Sequence, residues 1–149
     1  MSPRYLLDSN VLVYTLDARE PDKRERAKET IRRVALGGSA ALPAQSLSEF
    51  SNVCLRKLEP ALEPREIRRE IEKLQVAFPV IPLTAPVVTE ALRGVEEHQL
   101  SYYDAQIWAA ARLTQIPVVL SEDFNPGATL EGVSFVNPLD SEFEPAVLE

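Results

Sequence analysis

The chain of 149 residues has one cysteine, Cys54, and one histidine, His98. A lone cysteine excludes an internal disulfide and a cysteine-based metal site, and it suits a reducing compartment. A lone histidine near a helix end leaves no Ser-His-Asp set to assemble, and His98 reads as an isolated surface residue, too far from other donors to be a ligand or general base. Only five glycines are present, and none forms a glycine-rich loop ahead of a helix, so the usual phosphate-cradling motifs are missing. No apolar run approaches the roughly 20 residues that span a membrane, and no basic start leads into an apolar core with a cleavage site. These absences describe a soluble cytoplasmic protein without a membrane partner.

What is present fits a single globular domain with a sizeable core, at 45% hydrophobic and 26% charged residues. The net charge of -7 is unevenly spread: residues 1–89 carry 14 Lys and Arg against 12 Asp and Glu, and residues 90–149 carry 2 against 11. The basic residues gather in "RERAKETIRR" and "REIRREIEK", where Arg24, Arg26, Arg32 and Arg33, and Arg65, Arg68 and Arg69, are candidates for contact with a nucleic-acid backbone. Glutamates interleaved at helical spacing give the alternative reading, plain solvated helix faces.

Apolar periodicity predicts an alternation of strands and helices. Tyr5 to Leu7 is a short buried strand, followed by a helix from Asn10 to Leu16 with Ser9 as a cap. A second helix runs from Pro21 to Leu36 and stops at Gly37-Gly38. "AALPA" is the next strand, Ser46 opens a helix with an apolar stripe through Leu47, Phe50, Val53, Cys54 and Leu58, and Pro64 starts another. "VIPL" is a third strand; Thr84 caps one helix and Ser101 opens the next, to about Gln115. "PVVL" and "VSFV" complete an α/β domain with a central, mostly parallel sheet of about four to five strands flanked by helices. The domain is expected over residues 1–138, with residues 139–149 a loose C-terminal tail.

This order puts acids together. Asp8 ends the first strand, Glu49 lies in the first turn expected after the second, Asp104 opens the helix that returns to "PVVL", and Asp123 follows that strand. All four reach the carboxyl edge of the sheet, where open α/β folds bind ligands. Carboxylates so placed repel one another, and a hard divalent cation such as Mg²⁺ or Mn²⁺ relieves the repulsion. Asn10 and Ser121 stand where they can orient the carboxylates. Each acid also has an ordinary reading: "SLSE" and "SYYD" have the form of capping boxes, and Asp123 suits a turn. Cys54 and Trp108 read as core, and Tyr102 and Tyr103 can stack on bases.

"LLDSNVLVY", "SLSEF", "SYYDAQIWAAA" and "LSEDF" resemble, in order, the four acidic motifs of the PIN domain, and "PGATLEGVSFVNP" is similar to the end of VapC-like ribonuclease toxins of bacterial toxin-antitoxin systems. The resemblance spans residues 4–138. It implies a Mg²⁺- or Mn²⁺-dependent endoribonuclease in which Asp8, Glu49, Asp104 and Asp123 are the metal ligands, supported by Asn10 and Ser121, with water attacking a phosphodiester in line. Glu122 leaves open which acid of "SED" faces the metal. A homodimer and a cognate antitoxin are implied as well, and the RNA target is not.

Two other classes share part of this pattern. A phosphoryl-transfer protein with an acidic Mg²⁺ site wants a late lysine for the phosphoryl group, and no lysine follows Lys73. A PIN-fold module that binds metal or RNA without catalysis differs from the enzyme only in an assay.

Overall fold

A computed structural model describes residues 2–148. Its strands are β1 (Tyr5–Leu7), β2 (Ala40–Pro43), β3 (Val80–Ile81), β4 (Val118–Leu120), β5 (Thr129–Leu130) and β6 (Val133–Val136). The helices are α1 (Ser9–Tyr14), α2 (Pro21–Gly37), α3 (Ala44–Arg56), α4 (Pro64–Ala77), α5 (Ala85–His98) and α6 (Tyr102–Leu113). One sheet of six strands has the order β3-β2-β1-β4-β6-β5, one strand more than the upper expectation. All neighbours are parallel except β5 and β6.

The sheet separates two apolar layers. Leu6, Val119 and Phe135 face a core built on α5 and α6 with Trp108 at its centre, while Tyr5, Leu7 and Leu120 face the core under α1 to α4 with Leu12 and Phe50. Alternate residues of a strand point to opposite faces, so a strand covered on both sides has to be apolar throughout. This is why β1 reads as "YLL" with all three residues buried. Cys54 and Trp108 are buried in these cores, as their apolar surroundings in sequence suggest.

Several elements differ from expectation. The helix after β2 begins at Ala44, straight from the strand, so Ser46 lies inside it and its hydroxyl donates to the Leu7 carbonyl at 2.8 Å. "SLSE" is therefore no capping box. Residue Asp8, not Ser9, holds the N-cap position of α1. Strand β5 is an addition, joined to β6 through Glu131 and Gly132, both at positive φ (50° and 85°). Two such residues make the tight reversal that hairpins favour, and the short "TL" before it carried too little signal to be seen as a strand.

The strained Glu131 is held by cations. Its carboxylate accepts from Arg93 at 2.9 Å, lies 3.4 Å from Arg112 Nε, and meets His98 Nε2 at 2.7 Å. His98 also stands edge-on to Trp108, with ring centroids 5.3 Å apart, so it is part of a network and not isolated. The loose tail is not loose. Leu148 is buried, Phe143 packs against the same core, and the Val147 carbonyl accepts from Tyr5.

Helices α5 and α6 pack closely because Gly94 faces the Trp108 ring. A Cβ at residue 94 would stand 2.8 Å from two ring carbons of Trp108. Gly94→Ala is expected to destabilise by about 1–3 kcal/mol through overpacking, less the roughly 1 kcal/mol by which alanine favours a helix interior. The net loss of up to about 2 kcal/mol corresponds to a fall in the thermal midpoint of up to about 8 °C, and a higher midpoint would show that α5 can move away without loss.

Candidate metal centre

Three parallel strands end side by side and deliver the acids to one edge. Leu7 pairs with Leu120, so Asp8 and Ser121, the residues that follow, are neighbours. The Asp8 amide donates to the Leu120 carbonyl at 3.0 Å, and the Ser121 amide to Val136 at 3.0 Å, which fixes both residues by backbone alone. Ser121 Oγ then donates to Asp8 Oδ2 at 2.6 Å, and the Ser9 amide donates to Oδ1 at 2.7 Å. Asn10 Nδ2 lies 3.1 Å from Ser121 Oγ and 3.5 Å from Asp8 Oδ2, and its own Oδ1 accepts from the Glu122 amide at 3.2 Å. The Asp123 amide donates to Ser121 Oγ at 3.1 Å. One serine hydroxyl thus links the ends of β1 and β4.

Glu49 reaches this edge from the second turn of α3 and Asp104 from the first turn of α6. Ser101 holds the N-cap of α6 but its hydroxyl makes no capping bond to the backbone. The ordinary reading of Glu49 and Asp104 as cap residues therefore fails for the first and weakens for the second. All four acids interact electrostatically. Burial lifts the Asp8 carboxyl to about 6, opposed by its bonds from Ser121 and Ser9 and assisted by Asp123 and Glu49. Glu49 is raised by burial and by Asp104 and Asp123, against the bond from Gln45. Burial also raises Asp104, with the Ser101 hydroxyl opposing and Asp123 adding to the shift.

None of the four acids forms an ion pair among the described residues. Nearby Glu122 behaves differently. Lys23 Nζ donates to Glu122 Oε2 at 2.9 Å and stands 4.9 Å above the Tyr14 ring, which turns Glu122 toward α2 and leaves Asp123 as the acid of "SED" that faces the others. Carboxylates gathered at one edge with no cationic side chain paired to them are the kind of oxygen donors a hard divalent ion takes. The tightest donor cluster among the described residues lies elsewhere: Glu97, His98 and Glu131, with donor atoms within 4.8 Å. Arg93 already supplies the positive charge there, bonded to Glu97 and Glu131. No three of the four acids bring their oxygens as close together as that cluster does.

Other groups named from sequence are dispersed. Arg32 and Arg33 both bind Glu29, and lie roughly 15 Å along α2 from Lys23 at about 1.5 Å per residue. Arg24 and Arg26 are half-buried on the same helix, nearer the acidic edge. Arg65, Arg68 and Arg69 are exposed on α4. Tyr103 is exposed beside Asp104, with Tyr102 edge-on to it, and it lines an open cleft of about 620 Å³ next to Glu49. Sequence reading missed Lys23, Gln45 and Gln106. Gln45 donates to Glu49 Oε1 at 3.3 Å and to the Tyr103 carbonyl at 3.0 Å, and Gln106 donates to Gln45 Oε1 at 2.6 Å. A buried glutamine one turn before an acid is the signal that could have found the pair.

The sheet order, the edge and the acids on it define a mostly parallel α/β domain with an acidic edge, and the PIN domain family model matches residues 5–126: the chain belongs to that family. Solved structures share the fold. A chain of a toxin-antitoxin complex from Klebsiella pneumoniae aligns with TM-score 0.63 and 20% identity, covering 90% of this chain and 97% of that one. FitAcB from Neisseria gonorrhoeae gives 0.62 and 19%, covering 90% and 97%, and DNA-bound VapBC from Salmonella typhimurium gives 0.62 and 16%, covering 89% and 96%. At these identities the likeness is one of fold. No curated protein matches the chain by sequence.

The raised Asp8 carboxyl has a pH consequence. Its folded value of about 6 exceeds the ordinary 3.8, so between these limits the folded chain holds more protons than the unfolded one. Stability therefore falls as pH rises through this window, and above it the ionised, buried Asp8 costs about 3 kcal/mol at roughly 1.36 kcal/mol per unit. In EDTA, the stability of Asp8→Asn relative to wild type is expected to improve by about this amount between pH 4 and pH 7. Urea unfolding at a series of pH values measures it, and a constant difference across the range would mean that Asp8 ionises normally.

Proposed function

We propose that the protein is a divalent-metal-dependent endoribonuclease and the toxin component of a toxin-antitoxin pair. The observation that carries this reading is the set of four carboxylates, coupled by repulsion at one sheet edge, with no cationic partner among the described residues. Membership of the PIN family supports it, as do structural neighbours that are themselves toxin-antitoxin complexes. Asp8, Glu49, Asp104 and Asp123 would hold Mg²⁺ or Mn²⁺. When bound, such an ion lowers the pKa of a coordinated water and stabilises the leaving oxygen of a phosphodiester.

The chain's own residues do the rest. Ser121, braced by Asn10, fixes the direction of the Asp8 carboxylate, so that Oδ2 stays occupied by a donor and Oδ1 is tied to the start of α1. The amino ends of α1 and α6 add partial positive charge where a phosphate would approach. Tyr103, exposed at the rim, offers a face for a base, and the exposed Arg65, Arg68 and Arg69 offer phosphate contacts, with Arg24, Arg26, Arg32 and Arg33 as a second basic strip. Lys23 lies nearer the acids than any of these along α2. A homodimer and an antitoxin are the partners this reading carries, and among the described residues no helix is long and apolar enough to cross a membrane.

Purified protein incubated with structured and unstructured RNA is expected to cleave in Mn²⁺ or Mg²⁺ and not in EDTA. Glu49→Gln and Asp104→Asn should each lower the rate by more than the roughly 10–100-fold typical of losing an outer-shell partner, with folding stability in EDTA held or raised. Cleavage in EDTA, or near-normal activity of both variants, would refute the mechanism. A protein that binds Mn²⁺ and cleaves no RNA would support the non-catalytic module instead.

Affinity for RNA should depend on salt through the basic helices. Charge-neutral replacement of Arg65, Arg68 and Arg69 is expected to flatten the plot of log affinity against log salt by about one unit per phosphate contact removed, with Mn²⁺ affinity unchanged. Equal slopes before and after would place the RNA path elsewhere.

A further inference from the structure

Gln45 and Gln106 are two buried polar side chains, 8% and 4% exposed, at the base of the cleft that Glu49 and Tyr103 also line. Gln45 sits on α3 one turn before Glu49, so the two share a helix face. Gln106 sits on α6, two residues beyond Asp104. The two helices belong to opposite apolar layers of the sheet, and the glutamines meet where those layers come together behind the acidic edge.

Every hydrogen-bonding group of the Gln45 amide is committed. Its NH₂ donates to Glu49 Oε1 at 3.3 Å and to the Tyr103 carbonyl at 3.0 Å, and its oxygen accepts from Gln106 at 2.6 Å. The orientation follows from chemistry: turned over, the amide would set its oxygen against a carboxylate and a carbonyl, and its NH₂ against that of Gln106. Methionine or leucine would fill the same volume without needing any partner, so packing does not call for amides here. What the pair provides is direction. Gln106 and the Tyr103 carbonyl pin Gln45 to α6, and Gln45 in turn holds one oxygen of Glu49, a carboxylate that also meets the Ser9 side chain and lies within electrostatic reach of Asp104 and Asp123.

We propose that Gln45, backed by Gln106, is a positioning residue that aims the Glu49 carboxylate into the cation site, an inference that rests on the cation reading of the four acids. Partners that orient ligating carboxylates typically change metal affinity by about 10–100-fold when removed. Gln45→Met keeps the length of the side chain and loses both donors. Gln106→Met keeps Gln45 and loses only its anchor.

The test is Mn²⁺ titration, followed by calorimetry in the absence of RNA, of the full chain and of Gln45→Met, Gln106→Met, Glu49→Ala and the double variant Gln45→Met with Glu49→Ala. Thermal unfolding in EDTA accompanies each. Gln45→Met is expected to weaken Mn²⁺ binding by about 10–100-fold and Gln106→Met by less, with both variants folded. In the Glu49→Ala background the Gln45→Met change should alter affinity by less than about twofold, because the carboxylate it aims is gone. Wild-type affinity in Gln45→Met, or losses that multiply in the double variant, overturns the positioning role alone. Wild-type protein that binds no Mn²⁺, or Glu49→Ala that binds as tightly as wild type, overturns the cation site and the proposal with it. If Gln45→Met does not fold, Gln106→Met in the two backgrounds decides by the same criterion.

Discussion

Charge repulsion at the end of the sheet is the constraint around which the molecule is arranged. Asp8 is 3% exposed at the tip of the central strand, Glu49 and Asp123 stand within electrostatic reach of it, and Asp104 within reach of those two. Elsewhere several acids are neutralised locally: Glu29 binds two arginines, Glu131 binds arginine and histidine, and Glu122 binds Lys23. Among the described residues the four acids at this edge form no ion pair. The fold tolerates them by neutral donors, the Ser121 hydroxyl and the Ser9 amide on Asp8 and the Gln45 amide on Glu49, which hold a carboxylate in place without cancelling its charge. A site kept negative in this way is suited to a cation that comes and goes.

The rigidity of the edge comes from the backbone. Short parallel strands, buried on both faces, place the residues after Leu7 and Leu120 side by side, and amide bonds from Asp8 and Ser121 to neighbouring carbonyls continue the ladder one residue beyond the strands. Ser46 adds a hydroxyl bond from inside α3 to the Leu7 carbonyl, so the start of that helix is also fixed to the tip of β1. Glu49 and Asp104 are thus carried by helices and Asp8 by the N-cap of α1, while Asp123 stands in the bend after β4, tied back through its amide to the Ser121 hydroxyl. The far edge of the sheet is closed by different means, with Arg93, Arg112 and His98 clamping the hairpin turn at Glu131 onto α5 and α6.

Much of this was legible in the residues themselves. The run "YLLDSN" has an acid where a doubly covered strand should continue apolar, and the alternation of strands and helices places Glu49, Asp104 and Asp123 near it by topology alone, since parallel strands share an edge. Local periodicity carries such facts because burial on both faces leaves a continuous apolar signature. The two-residue β5 had no such signature, and the tail looked loose because its apolar residues, Phe143 and Leu148, are few and irregularly spaced.

The sequence by itself determined the class of fold and the acids that reach the edge, because both follow from hydrophobic pattern and chain order. Tertiary structure decided how each acid is held. That Ser46 bonds to Leu7 and not to Glu49, that Lys23 draws Glu122 away, and that Gln45 and Gln106 meet across two layers depend on contacts between residues distant in the chain. Hydrogen bonds of this kind act over about 3 Å and leave no periodic trace, so only packing in three dimensions specifies them.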